Sequence, residues 1–138
     1  MADLLMSYVE SLYQLKDESR FKSVVGALAK DIGKSKSAQI LNVAERVQYL
    51  LIETLAGEEK PNYSELVDMT KAFKEKFQKS PYGPRISYLF GLSLVKSEKV
   101  KEGKEVLTTL MNDKVAPAHI KEMCRSEHTT IELSNRNL

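Results

Sequence analysis

The sequence predicts an all-α protein built as a stack of antiparallel helix hairpins. Apolar residues recur at a spacing of three and four along most of the chain, which is the period of an amphipathic helix. The six glycines and four prolines are too few for the tight turns of a β-sandwich or barrel. One segment also occurs twice, since Arg46-Val47-Gln48-Tyr49-Leu50-Leu51 returns as Arg85-Ile86-Ser87-Tyr88-Leu89-Phe90. These observations predict about seven helices, as three hairpins and a last helix in a single domain over 1–138.

The first hairpin is predicted over residues 3–32. Asp17 stands between its two helices and is placed to cap the second one, because its carboxylate can accept from exposed amides of the next turn. Gly33 follows as a C-terminal cap. The two apolar stripes are Leu5, Tyr8 or Val9, Leu12 and Leu15, then Phe21, Val24, Val25, Leu28 and Ile32.

The second hairpin is predicted over residues 38–80. Its first helix is expected to end at Gly57, and a loop containing Pro61 follows. Asn62 and Glu65 then have the spacing of a capping box. The apolar positions of the two helices are Ile40, Leu41, Ala44, Val47, Leu50 and Leu55, then Leu66, Met69, Phe73 and Phe77.

The third hairpin is predicted over residues 85–113 and the last helix over 117–134. The segment Ser80-Pro81-Tyr82-Gly83-Pro84 separates this hairpin from the second, because two prolines around a glycine interrupt a helix. Ser97-Glu98-Lys99 is the turn inside the hairpin. Pro117 suits the first turn of the last helix, where an N–H would be unpaired in any case. That helix has fewer apolar residues and is expected to cap the stack.

Two glycines in the third hairpin carry a resemblance to a known family. Gly91 and Gly103 are twelve positions apart, and large apolar residues follow the second at Leu107 and Leu110. With Phe90 and Leu94, this pattern over residues 84–117 resembles the tetratricopeptide repeat, while the other two hairpins keep only its amphipathic outline. The resemblance implies a right-handed stack whose concave groove receives a peptide or a partner helix. Removing Cβ at a crossing also lets two helices approach closely.

Three tyrosines and two arginines are the candidate binding residues. Tyr8, Tyr49 and Tyr88 recur in the first helices of the hairpins, which line the groove in the family that the chain resembles. They are interpreted either as a ladder of interface rings or as rings packed between hairpins with surface hydroxyls. Arg46 and Arg85 precede two of the rings by three positions, so they share a face with them. Each arginine is expected to clamp a carboxylate or acidic peptide, or to pair with a nearby glutamate.

The sequence gives no pattern that predicts catalysis. Cys124, Glu127 and His128 share one helical turn, with His119 a turn earlier, and such groups can hold zinc or activate a thiol. No second cluster accompanies them, so Cys124 is interpreted as a core residue and the histidines as surface residues. No phosphate-binding glycine loop or G-x-S-x-G element occurs. The chain is therefore expected not to be an enzyme and to use no metal or cofactor.

Net charge and composition limit the classes of partner that the sequence predicts. The net charge is +2. The lysines at 71–79 and 96–104 alternate with glutamates, which cancel most of the positive field. Nucleic acid is therefore not the expected partner. One cysteine favours a reducing compartment, and neither a signal peptide nor an apolar run of about 20 residues is found. A cytoplasmic protein without membrane insertion is expected.

These observations predict a non-catalytic adaptor that binds a protein or peptide partner. Two alternatives stay open. One is a self-association or regulatory domain of a larger signalling or secretion protein, possible as a homo-oligomer through Leu4, Leu5, Tyr13 and Phe21. The other is a weak nucleic-acid-associated helical domain that uses the lysines.

Overall fold

The computed structural model describes residues 2–32 and 37–136, and they form seven α-helices. This confirms the predicted all-α class with about seven helices. The expected cap at Gly33 lies outside the described residues. The described part of the chain contains no strand. The helices are α1 (Ala2–Gln14), α2 (Glu18–Ile32), α3 (Ala38–Ala56), α4 (Tyr63–Lys76), α5 (Gly83–Lys96), α6 (Val100–Met111) and α7 (Ala118–Arg136).

The chain divides into two compact units, Met1–Glu59 and Lys60–Leu138. The division falls inside residues 38–80, for which the repeat spacing predicts one hairpin, so α3 belongs to the first unit and α4 to the second. In the first unit α3 packs on both α1 and α2. Its core combines one stripe of α1, one stripe of α2 and more than one face of α3, because α3 is covered by both other helices. The residues are Val9 and Leu12, Phe21 and Val25, and Val43, Ala44, Val47, Leu50 and Ile52.

The second unit is organised around α5, which packs against α4, α6 and α7. This position explains why α5 has apolar residues on more than one face. The buried core of this unit also contains Leu66 and Phe73 of α4, Leu107 and Leu110 of α6, and Ile120, Cys124 and Ile131 of α7. The α5 residues in that core are Ile86, Tyr88, Leu89 and Leu94.

The residues predicted to cap helices stand directly before them. The Asp17 carboxylate accepts a hydrogen bond from the Arg20 N–H at 3.1 Å, and the Asn62 side chain accepts one from the Glu65 N–H at 3.1 Å. Pro117 directly precedes α7, and its carbonyl accepts from the N–H groups of Ile120 and Lys121. Helix α5 begins at Gly83, two residues before the predicted start, because Pro84 fits the first turn.

The close crossing expected of the two glycines is present between α5 and α6. A Cβ built at Gly91 would stand 2.9 Å from Leu107 Cδ2, and a Cβ built at Gly103 would meet Val95 and the α5 backbone at 2.5–2.9 Å. At Gly91 the added atom would meet the end of the Leu107 side chain, whereas at Gly103 it would also meet backbone atoms of α5, which leave no room for a side chain. Glycine is unfavourable inside a helix, and the close approach of α5 and α6 explains why it occurs in both of them.

Candidate functional site

Arg46 and Tyr49 of α3 lie together in the first unit, as their spacing predicts. The Arg46 guanidinium is 5.8 Å from the centre of the Tyr49 ring. The same guanidinium donates to Glu10 of α1, from Nε to Oε1 at 2.6 Å and from Nη2 to Oε2 at 3.4 Å. Of the two interpretations of Arg46, the structure therefore shows the pairing with a glutamate. The carboxylate that it binds belongs to its own chain and joins α3 to α1.

Arg85 and Tyr88 of α5 repeat this arrangement in the second unit. The Arg85 guanidinium is 5.6 Å from the centre of the Tyr88 ring, and its Nη1 lies 3.9 Å from Met123 Sδ on α7. The Tyr88 ring is only 7 % exposed. Burial, and after it the negative charge of Glu127 on α7, raises the pKa of Tyr88 to about 12. The pair joins α5 to α7.

Tyr8 stands in a different environment from the other two tyrosines. It is 48 % exposed on α1, whereas Tyr49 is half-buried and Tyr88 is buried. Leu4, which is 76 % exposed, lies on the same side of α1 as Tyr8 at about 100° per residue. Leu15, which is 67 % exposed, directly follows α1, and its N–H donates to the Ser11 carbonyl at 3.2 Å. We call Leu4, Tyr8, Ser11 and Leu15 the α1 stripe. Phe21 is buried in contact with Tyr13, with ring centres 5.6 Å apart, and belongs to the core.

The second unit contains an open groove over α5 that the sequence patterns did not single out. Its volume is about 430 Å³. We call it the α5 groove. Its floor comes from Ser87, Phe90 and Leu94 of α5, one wall is Lys74 of α4, and the other wall is made by Glu102, Glu105, Val106, Thr109 and Leu110 of α6 with Asp113 after it.

The floor of the α5 groove is apolar and its α6 wall is acidic. Phe90 and Val106 are half-buried, so part of each side chain faces the opening. The Lys74 ammonium lies 5.0 Å from the centre of the Phe90 ring, and burial lowers its pKa. Glu102, Glu105 and Asp113 are exposed along the opposite wall. Among the groove residues, three carboxylates therefore stand against one ammonium.

A second stripe of residues along α6 could have revealed this acidic wall from the sequence. Gly103, Leu107 and Leu110 form the buried stripe that the sequence makes obvious. Glu102, Val106, Thr109 and Asp113 form a neighbouring stripe at the same spacing, with one apolar residue among polar ones. This stripe forms a groove wall only because α4 lies opposite it, and the periodicity of α6 gives no information on the position of α4.

Cys124, the cysteine of the predicted cluster, lies in the core of the second unit. Cys124 is fully buried, and burial raises the pKa of its thiol, which keeps it in the unreactive protonated form. Glu127 is engaged by Tyr88. Within residues 2–32 and 37–136, no three histidine, cysteine or acidic side chains are grouped to hold a metal ion. Over the same ranges, no helix has the length and apolar character needed to cross a membrane.

No protein-family model, curated protein or solved structure matches this chain.

Proposed function

We propose that this chain is a non-catalytic protein-interaction domain that binds a peptide or partner helix in the α5 groove. The observation that carries the proposal is the apolar floor of the groove, which is open between α4 and α6. A groove of this kind suits the apolar face of an amphipathic helix, which docks through residues three and four positions apart.

The predicted tyrosine and arginine residues have a supporting place in this proposal. Ser87 and Phe90 face the groove, whereas Arg85 and Tyr88 lie on about the opposite side of α5 and contact α7. They fix α5 against α7 and so hold the groove floor in position. Direct contact of Arg46, Tyr49, Arg85 or Tyr88 with a partner remains a prediction.

The test of this proposal is capture of a partner by two matched valine variants. Val106→Gln removes apolar surface from the groove, and Val115→Gln makes the same change at a position that is 89 % exposed outside the groove. Neither changes the net charge. We expect lysate of the source cells to yield a protein that wild type and Val115→Gln retain and Val106→Gln loses. Equal retention by both variants, with unchanged circular dichroism, would overturn the proposal.

Self-association is a second candidate function, and the α1 stripe favours it. About a centre between Val9 and Glu10, the stripe has Leu4 and Leu15 at its ends and Tyr8 opposite Ser11. An antiparallel α1 from a second copy would thus place leucine on leucine and the large tyrosine on the small serine. Such self-complementarity is what a two-fold symmetric interface requires.

Sedimentation velocity over a range of concentrations tests the second candidate. Leu4→Glu should shift the chain to monomer, while Leu133→Glu, an exposed leucine of α7, should leave the oligomer intact. A wild-type chain that is monomeric at every concentration would exclude self-association.

Nucleic-acid binding has less support, because Lys104 pairs with Glu132 and Lys74 lies against Phe90.

A further inference from the structure

We propose that the α5 groove selects a positively charged amphipathic helix, one whose lysine or arginine residues flank its apolar face. This inference rests on the proposed function and adds the chemistry of the partner. It follows from the position of three carboxylates along one side of an apolar groove.

The carboxylates follow the length of the groove wall. Glu102 lies in the first turn of α6 and Asp113 two residues after its last residue, Met111, so most of the length of the helix, between two and three turns of about 5.4 Å each, lies between them. Glu105 lies between them beside the groove. A docked helix could therefore meet a negative charge near each of its turns while its apolar face covers Phe90 and Val106.

These carboxylates are available to a partner. Glu102 and Glu105 are exposed, and neither carboxylate is paired with a cation among the described residues. Asp113 accepts one hydrogen bond, from the Val115 N–H at 2.9 Å, which leaves its second oxygen for a cation. Glu102 lies in the first turn of α6, where the helix dipole favours an acidic side chain, so its presence has an explanation other than binding. The dipole does not account for Glu105 or Asp113.

The only cation in the groove is on the other wall and is already in contact with an aromatic ring. The Lys74 ammonium lies over the Phe90 ring, 5.0 Å from its centre. The residues that line the groove therefore include three acidic side chains and one basic side chain, although the chain carries a net charge of +2. Because the whole protein repels cations weakly, binding of a cationic helix would report the local field of the groove.

The experiment uses two synthetic peptides of about 18 residues with an identical leucine face. One carries lysines beside that face and the other carries glutamates at the same positions. Affinity for the full chain is measured by fluorescence anisotropy at low and high salt. We expect saturable binding of the lysine peptide, weaker at high salt, and binding of the glutamate peptide that is at least about tenfold weaker.

Charge-neutralising variants locate the effect. Glu102→Gln with Glu105→Gln should weaken the lysine peptide about tenfold, whereas Glu59→Gln with Glu75→Gln changes the net charge equally outside the groove and should have little effect. If both peptides bind equally and both are lost in Val106→Gln, the charge inference fails and the proposed function stands. If neither peptide binds, the inference is overturned, and the valine capture test decides the proposed function separately.

Discussion

The backbone of α6 at Gly103 lies so close to α5 that a Cβ built there would stand 2.7 Å from the carbonyl oxygen of Gly91. This contact sets the distance between the two helices that form the floor and the acidic wall of the α5 groove. Because carbonyl oxygen is backbone, it cannot move aside as a side chain can. The width of the groove therefore depends on two residues that have no side chains.

Gly103→Ala should destabilise the chain by about 2 kcal/mol, since the added methyl must push α6 away from α5. Gly26→Ala is the matched control, because Gly26 is also helical and a Cβ there would meet nothing within 4 Å. That change should stabilise by up to about 1 kcal/mol. Urea unfolding followed by circular dichroism measures both. Equal effects of the two substitutions would refute a crowded crossing.

Glu98→Gly should stabilise the second unit by roughly 1 kcal/mol. Glu98 ends α5 with φ of 69°, in the left-handed region that favours glycine. The Lys99 N–H donates to the Leu94 carbonyl at 2.9 Å and the Glu98 N–H to the Val95 carbonyl at 3.2 Å, the two bonds of a Schellman cap. The midpoint of urea unfolding is the readout. A lower midpoint for Glu98→Gly would show that this turn has another conformation.

Tyr88 should be a late-titrating tyrosine among the six of the chain. Its folded-state pKa of about 12 lies above the ordinary value of 10, so its protonated form stabilises the fold below pH 10. That contribution is lost as the pH rises from about 10 to about 12. Phenolate absorbance should show one late component that Tyr88→Phe abolishes and Glu127→Gln shifts to lower pH. A late component that survives Tyr88→Phe would contradict the assignment.

The Arg46–Glu10 pair should couple α3 to α1 by roughly 1 kcal/mol. Its two side chains are 28 % and 31 % exposed, so solvent screens them only in part. A double-mutant cycle with Arg46→Met and Glu10→Gln measures the coupling energy. The Arg125–Glu122 pair on the surface of α7 is the comparison and should give a value near zero. A similar value for both pairs would mean that partial burial adds nothing.

The sequence predicts the helices well because their signals are local. Asp17 and Asn62 cap helices in the structure as their position before an apolar run predicts. Gly91 and Gly103 also reveal their crossing, since two glycines inside helices need a packing reason. Arg46 and Arg85 lie near the tyrosines three positions on, which follows from helical periodicity alone.

The candidate site is less predictable because it depends on contacts between helices. No periodicity states that Glu10 would meet Arg46, or that Glu127 and Met123 would meet the residues of α5. The same limit explains why the repeated Tyr49 and Tyr88 differ in burial. The α5 groove is made by three helices, and its acidic wall appears only when α4 and α6 are placed on the two sides of Phe90.

The most direct test of the α5 groove is site-specific photo-crosslinking in the cells that make the protein. A photoreactive phenylalanine replaces Thr109, which lines the groove, or Thr130 of α7, an equally exposed threonine with the same hydroxyl bond to the carbonyl four residues earlier. We predict a discrete protein adduct at position 109 that Val106→Gln removes and no adduct at position 130. Adducts at 130 but not at 109 would contradict the central claim.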